Sequence, residues 1–161
     1  MKIKTKPYGE IEVDEKQKIH FPEGIIGFGG LCNYYLLDSR EGPFYWLQSE
    51  EEPELAFLLV DPRVFRHDYK LMVRESDLRD LNIKDKQDLL DFTIVTVPED
   101  HSKISANLMG PILINRKTKL AKQVISENEE YTVKHYILEE MKIQRTRLLE
   151  SENACSYTKA K

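Results

Sequence analysis

Four histidines, His20, His67, His101 and His135, are the first residues to test for metal chemistry. None stand as His-x-His or His-x-x-x-His, so a zinc or iron centre would need ligands gathered from distant segments. Asp100-His101-Ser102 holds the residue types of a hydrolytic triad. As chain neighbours their side chains diverge, whereas a working triad is linked by hydrogen bonds in space. A polar loop after Pro98 accounts for the run better. Gly24, Gly27, Gly29 and Gly30 do not spell Gly-x-Gly-x-x-Gly, and no Gly-x4-Gly-Lys-Ser/Thr run occurs, so phosphate cradling has no support. The acidic pairs Glu51-Glu52 and Glu129-Glu130 read as solvated turns, because acid–base carboxylates need placement in a cleft. No catalytic residue, metal or cofactor is expected.

Charge and composition narrow the field further. The chain has 161 residues, which suits one folded unit more than two. Lys and Arg number 24 and Asp and Glu 28, a net charge of -4, which is the wrong sign for a nucleic-acid grip. The basic cluster Arg116, Lys117, Lys119 and Lys122 lies on an expected hairpin without an interleaved aromatic to stack a base, so it reads as a solvated tip. From Asp38 to Asp61 the chain places seven acidic residues against the single base Arg40, a stretch that attracts a basic partner. Cys32 and Cys155 share no metal-ligand spacing, and a disulfide between them is not expected. No apolar run approaches the ~20 residues of a membrane helix, and the alternating start Met1-Lys-Ile-Lys-Thr-Lys lacks the apolar core of a signal peptide. The expected compartment is the cytoplasm.

The elements that must position any site are mostly strands. Ile3 and Thr5, Ile11 and Val13, and Ile19 and Phe21 alternate with polar neighbours, the period of a strand with one wet face. Phe21 to Gly30 is a loop that must visit positive φ. Strands are expected over 34–37, 44–48, 55–60, 92–97, 104–108, 112–115 and 120–125, with a short one possible at 71–73. Arg116 to Lys119 turns the last two into a hairpin. Short helices are expected over 75–81 and 86–90, with Ser76 and Asp85 available as caps. The fold class is therefore all-β, mainly an antiparallel barrel or sandwich with a few short helices. Residues 1–130 form the β domain. Residues 131–150 read as a helix with Val133, Ile137, Met141 and Leu148 on one face, and 151–161 as a polar disordered tail. That helix packs on its own barrel or is offered to a partner.

Phe44-Tyr45-Trp46-Leu47 places four large side chains in one strand, Phe44 and Trp46 on one face and Tyr45 and Leu47 on the other. One pair fills the core; the second must be covered by a local element or by another protein. The acidic run Glu50-Glu51-Glu52-Pro53-Glu54 follows at once. Aromatic anchors beside a charged rim suit an interface with a basic protein.

Three ordered blocks carry a resemblance. His20-Phe21-Pro22-Glu23-Gly24-Ile25 with Gly27-Phe28 resembles the opening signature of the FliW family of bacterial flagellar assembly factors. Gly42-Pro43-Phe44-Tyr45-Trp46-Leu47-Gln48-Ser49, with Pro53, Leu55-Ala56-Phe57 and Asp61-Pro62, is similar to the same family. So are Val95-Thr96-Val97-Pro98 to Ala106-Asn107-Leu108, Pro111 to Asn115, and Gln123-Val124-Ile125. Ile26 stands where the family usually has proline, Gly29 where it has an acidic residue nearby, and the chain continues past the usual end.

The resemblance implies a small barrel-like adaptor that is not an enzyme and has two protein partners. One is flagellin, held before export. The other is CsrA, a dimeric RNA-binding repressor of flagellin translation, which the adaptor antagonises allosterically once flagellin has left. Tyr45, Leu47, Glu50, Glu51, Glu52 and Glu54 are the candidate contact residues, with Ile104 and Asn107 second. The free protein is expected to be a monomer that binds neither membrane nor nucleic acid. A small β domain that binds a metabolite or RNA directly is the alternative.

Overall fold

Alternation in the first third of the chain becomes strands β1 (Lys2–Thr5), β2 (Gly9–Glu12) and β3 (Lys18–His20) in the computed structural model, which describes residues 1–159. β4 (Asn33–Asp38), β5 (Phe44–Ser49), β6 (Ala56–Val60) and β7 (Leu89–Thr96) follow, with helix α1 (Glu75–Asp80) between the last two. β8 (Ser105–Ala106), β9 (Ile112–Asn115), β10 (Ala121–Gln123) and β11 (His135–Tyr136) lead into helix α2 (Ile137–Lys159). Every ladder is antiparallel, and the main sheet runs β10-β9-β7-β6-β5-β4-β3. Among the described residues its two edges meet only at one parallel bridge, His20 to Leu120, where the His20 N–H donates to the Lys119 carbonyl at 2.9 Å. The sheet is thus curled and barrel-like without a closed ladder.

The pleat sorts side chains onto two faces. Inside the curl, Ile19, Phe21, Tyr34, Leu47, Leu59, Phe92, Ile112 and Ile114 form the main core. Three covers protect the outer face. The β1–β2 hairpin packs Ile3 and Val13 on Tyr35, Leu37 and Trp46. α1 and its flanks pack Leu81 on Leu113 and Val124. The segment from Val60 to Tyr69, with Tyr131 and Ile137, forms the third cluster, in which the Tyr69 and Tyr131 rings stack at 5.1 Å.

Several expected bounds move, each for a tertiary reason. Residues 71–73 form no strand: Leu71 and Val73 pack against the α1 cluster instead of joining a ladder. The 86–90 helix is one 3-10 turn, Lys86–Asp88, capped by Asp85, and β7 begins at Leu89. Ser76 caps nothing, because α1 starts after Arg74 without a side-chain cap. The 104–108 run pairs only at Ser105 and Ala106. The C-terminal helix begins at Ile137 rather than Tyr131, because Tyr131 is drawn into the third cluster and residues 135–136 pair with β8. It continues to Lys159 through most of the segment expected to be a disordered tail; residues 160–161 lie outside the described residues. Val133 is 64% exposed and Met141 43%, so the anticipated stripe does not face the barrel; only Ile137 of that stripe is shown to be buried.

The loop after β3 depends on Gly24. Its φ is +71°, and a Cβ there would lie 2.5 Å from the Phe28 carbonyl oxygen, so neither the conformation nor the space admits a side chain. Among the described residues no helix is long and apolar enough to cross a membrane.

Candidate functional site

Between the hairpin cover and the third cluster, a strip of the outer sheet face is only partly clad. It is a groove of about 610 Å³ between the β1–β2 hairpin and the 101–104 segment. Phe44, Trp46, Leu58 and Ile104, all half-buried, form its floor, and Val97 stands 49% exposed at its side. Register explains the floor: Phe44 pairs with Val60 and Trp46 with Leu58, which aligns alternate residues of β5 and β6 on this face. The hairpin wall is pinned by Tyr8, whose hydroxyl donates to the Asp38 carbonyl at 3.3 Å and accepts from the Arg40 N–H at 3.1 Å. The Arg40 guanidinium lies over the Tyr8 ring at 4.6 Å. The groove is therefore apolar along its base and sparsely charged at its rim.

The two aromatic pairs take opposite places. Leu47 is fully buried in the main core, and Tyr45 is half-buried with its ring 5.4 Å from Phe92. Leu47 cannot reach a docked protein. The expectation for Leu47 is corrected accordingly, while Tyr45 is half-buried like Phe44 and Trp46 but lines a different hollow, with Leu36 and Leu90. Ile104 does line the groove. Asn107 builds a turn: its Oδ1 accepts from the N–H groups of Met109 at 3.0 Å and Gly110 at 2.9 Å.

The acidic run forms the β5–β6 turn, six residues along β5 from Phe44 and so roughly 20 Å from the groove end. Its four carboxylates are not equivalent. Glu50 meets Lys18 at 3.2 Å, and this hydrogen bond lifts the Lys18 ammonium above its ordinary pKa. Glu51 accepts from the Asn33 side chain at 2.9 Å and from the Asn33 backbone N–H at 3.1 Å. Burial alone would raise the Glu51 carboxyl, but its own backbone N–H, the Asn33 donors and the Cys32 N–H hold it below the usual range. Glu52 and Glu54 are exposed and have no ion-pair partner among the described residues.

Gln48 holds this turn in shape, and no local signal in the sequence marks it. It is fully buried; its Nε2 donates to the carbonyls of Ser49, Pro53 and Leu55 at 2.9, 3.0 and 3.1 Å. Its Oε1 accepts from the Lys6 N–H at 2.8 Å, tying hairpin and turn together. Gln48→Ala strips the Pro53 carbonyl and the Lys6 N–H of this partner, while the Leu55 carbonyl keeps the Ser49 N–H, and an unsatisfied buried polar group costs about 1–3 kcal/mol. Urea unfolding should show a loss of that size. Amide exchange should quicken at Leu55, whose N–H bonds the Glu52 carbonyl within the turn.

The remaining sequence candidates do not converge. Ser102 bonds Asp100 through both its N–H and its hydroxyl, while His101 lies along the groove. Among the described residues no group of three or more His, Cys, Asp or Glu could hold a metal ion. Lys122 of the basic hairpin is engaged by Asp77 and Asp80, and Lys117 by Asp88 at 3.5 Å.

Comparison with known proteins agrees with this architecture. The family described as "FliW: FliW protein" matches residues 2–137. A flagellar assembly factor FliW from Thermoanaerobacter pseudethanolicus is 44% identical over 144 residues, spanning 88% of this chain and 96% of the relative. Its counterpart in Leptospira interrogans is 42% identical over 146 residues, spanning 89% and 97%. A crystal structure of the flagellar assembly factor FliW superposes with a TM-score of 0.79 at 38% identity, covering 85% of this chain and 96% of that one. From β1 to the start of α2, the chain belongs to the FliW family of flagellar assembly factors.

Proposed function

We propose that the chain acts in the cytoplasm as a two-partner adaptor. It holds flagellin and, when free of it, binds CsrA and relieves translational repression of flagellin. The observation that carries this reading is the apolar groove over Phe44, Trp46, Leu58 and Ile104, which stays open between the hairpin cover and the third cluster. An apolar groove on a monomeric protein suits an apolar segment of a partner, and flagellin is the occupant assigned to it. Glu52 and Glu54 at the far end of β5 suit a basic surface of CsrA near its RNA site, where their charge opposes the approach of phosphate without covering the RNA contacts. Placing the two surfaces at opposite ends of one strand lets occupancy of the first bias the second through β5. The adaptor performs recognition and no chemical conversion.

Trp46 is the only tryptophan of the chain, so its fluorescence reports on the groove directly. Titrating flagellin should shift that emission after subtraction of flagellin's own signal. Val97→Asp, a change at an exposed position, should weaken flagellin binding by more than tenfold, because it puts a charge against an apolar contact. Unchanged emission and unchanged affinity of the variant would place flagellin elsewhere.

A further inference from the structure

α2 begins at residue 137, where the family match ends, although relatives spanning 89% of the chain still align with its first turns. Its first turns are fastened to the body on one side. The His135 Nε2 accepts from the Thr132 N–H at 2.9 Å, which leaves Nδ1–H to donate to Glu140 at 3.1 Å. The Gln144 Oε1 accepts from the His67 N–H, and Arg147 meets Asp68 at 3.7 Å. On the other side, α2 and residues Ser102 and Lys103 enclose an open groove of about 790 Å³.

The chemistry of this groove is specific. Leu138 and Met141, each 43% exposed, give it an apolar base, and Leu149, 53% exposed, continues the same helical face. Residues 138, 141, 145 and 149 lie within about 80° of one another around a helix of 3.6 residues per turn. That stripe spans roughly 16 Å, three turns of a helix laid beside it. Lys103, Lys142 and Arg145 line the groove against the single acid Glu139, and none of the three has an ion-pair partner among the described residues. A locally cationic groove on a chain of net charge -4 is a departure from the whole.

We propose that this groove docks an acidic amphipathic helix of a partner protein, with apolar residues at i, i+3 and i+7 on Leu138 and Met141 and carboxylates on Lys103, Lys142 and Arg145. Charge complementarity selects the sign, and the apolar stripe at helical spacing selects the shape. A second copy of the chain fits poorly, since pairing two such stripes sets Lys142 and Arg145 of one copy against the same cations of the other. The site adjoins the groove over Trp46 at the 101–104 segment but shares no lining residue with it, and it does not depend on flagellin binding there.

The test uses the full chain and three labelled synthetic peptides. One is a helix with Leu at i, i+3, i+4 and i+7 flanked by Glu, the second has every Glu changed to Lys, and the third is a scramble of the first. Anisotropy should show the acidic helix binding at least tenfold tighter than the other two. Lys142→Glu/Arg145→Glu, at exposed positions, should reverse the preference toward the Lys peptide, while Val97→Asp should leave it unchanged. Equal binding of acidic and basic peptides, binding of none, or loss with Val97→Asp would overturn the proposal. So would sedimentation showing a dimer of the chain that the double variant disperses.

Discussion

Replacing Asp77 with alanine is expected to lower unfolding stability by about 3 kcal/mol, because breaking a buried ion pair strands its partner. Asp77 is fully buried in α1, with Lys122 of β10 at 3.1 Å and Arg74 at 3.4 Å. Lys122 keeps Asp80 at 2.9 Å, which places the loss at the lower end of the range for such pairs. For a chain of this size that corresponds to a fall in Tm on the order of 10 °C. The same group has a pH signature. Burial alone would raise the Asp77 carboxyl, but hydrogen bonds from Lys122 and Arg74 outweigh it and hold the pKa below the usual carboxylate range. A depressed acid stabilises above its unfolded pKa of about 3.9 and loses that contribution as pH falls through the lower folded value. The gap between wild type and Asp77→Asn should therefore be full at neutral pH and close below about pH 4. A gap that stays constant down to low pH would mean that packing, not charge, holds α1 in place.

Leu47→Ala should cost about 2–5 kcal/mol, the range for a leucine removed from a packed core. Leu47 has no exposed surface and is enclosed by main-core residues that include Tyr34, Leu59 and Phe92. Denaturant titration measures the loss. Flagellin affinity, read where both proteins are fully folded, should change less than twofold. An affinity loss above tenfold with stability intact would return Leu47 to the contact surface and remove Phe44 and Trp46 from it.

The sequence is informative where the physics is local. Alternation in β1, β2 and β3, the proline after β7 and the Arg116–Lys119 turn each declare themselves within a few residues. Period two also shows that Phe44 and Trp46 share a face. It does not show which face is inside, because that depends on what β4, β6 and the hairpin bring from elsewhere. Gln48 illustrates the same limit. Its bonds run to Lys6, 42 residues away, and to a turn that looks merely solvated when read alone. Asp77 sits in a short polar helix, and its partner Lys122 lies 45 residues on. The acidic run was legible as a charge cluster, but its division into Glu50 and Glu51, engaged by Lys18 and Asn33, and Glu52 and Glu54, without an ion-pair partner among the described residues, required the fold.

Adaptor function through an outward acidic turn is tested most directly by titrating the protein into a preformed CsrA–RNA complex and following RNA release by gel shift, with RNA alone as a control. Wild type should free the RNA and leave the control lane unshifted. Glu52→Lys/Glu54→Lys should require roughly 100-fold more protein, since like charges set face to face cost several kcal/mol. Release by the charge-reversed protein at wild-type concentrations, or a shift of RNA by the chain alone, would contradict the account.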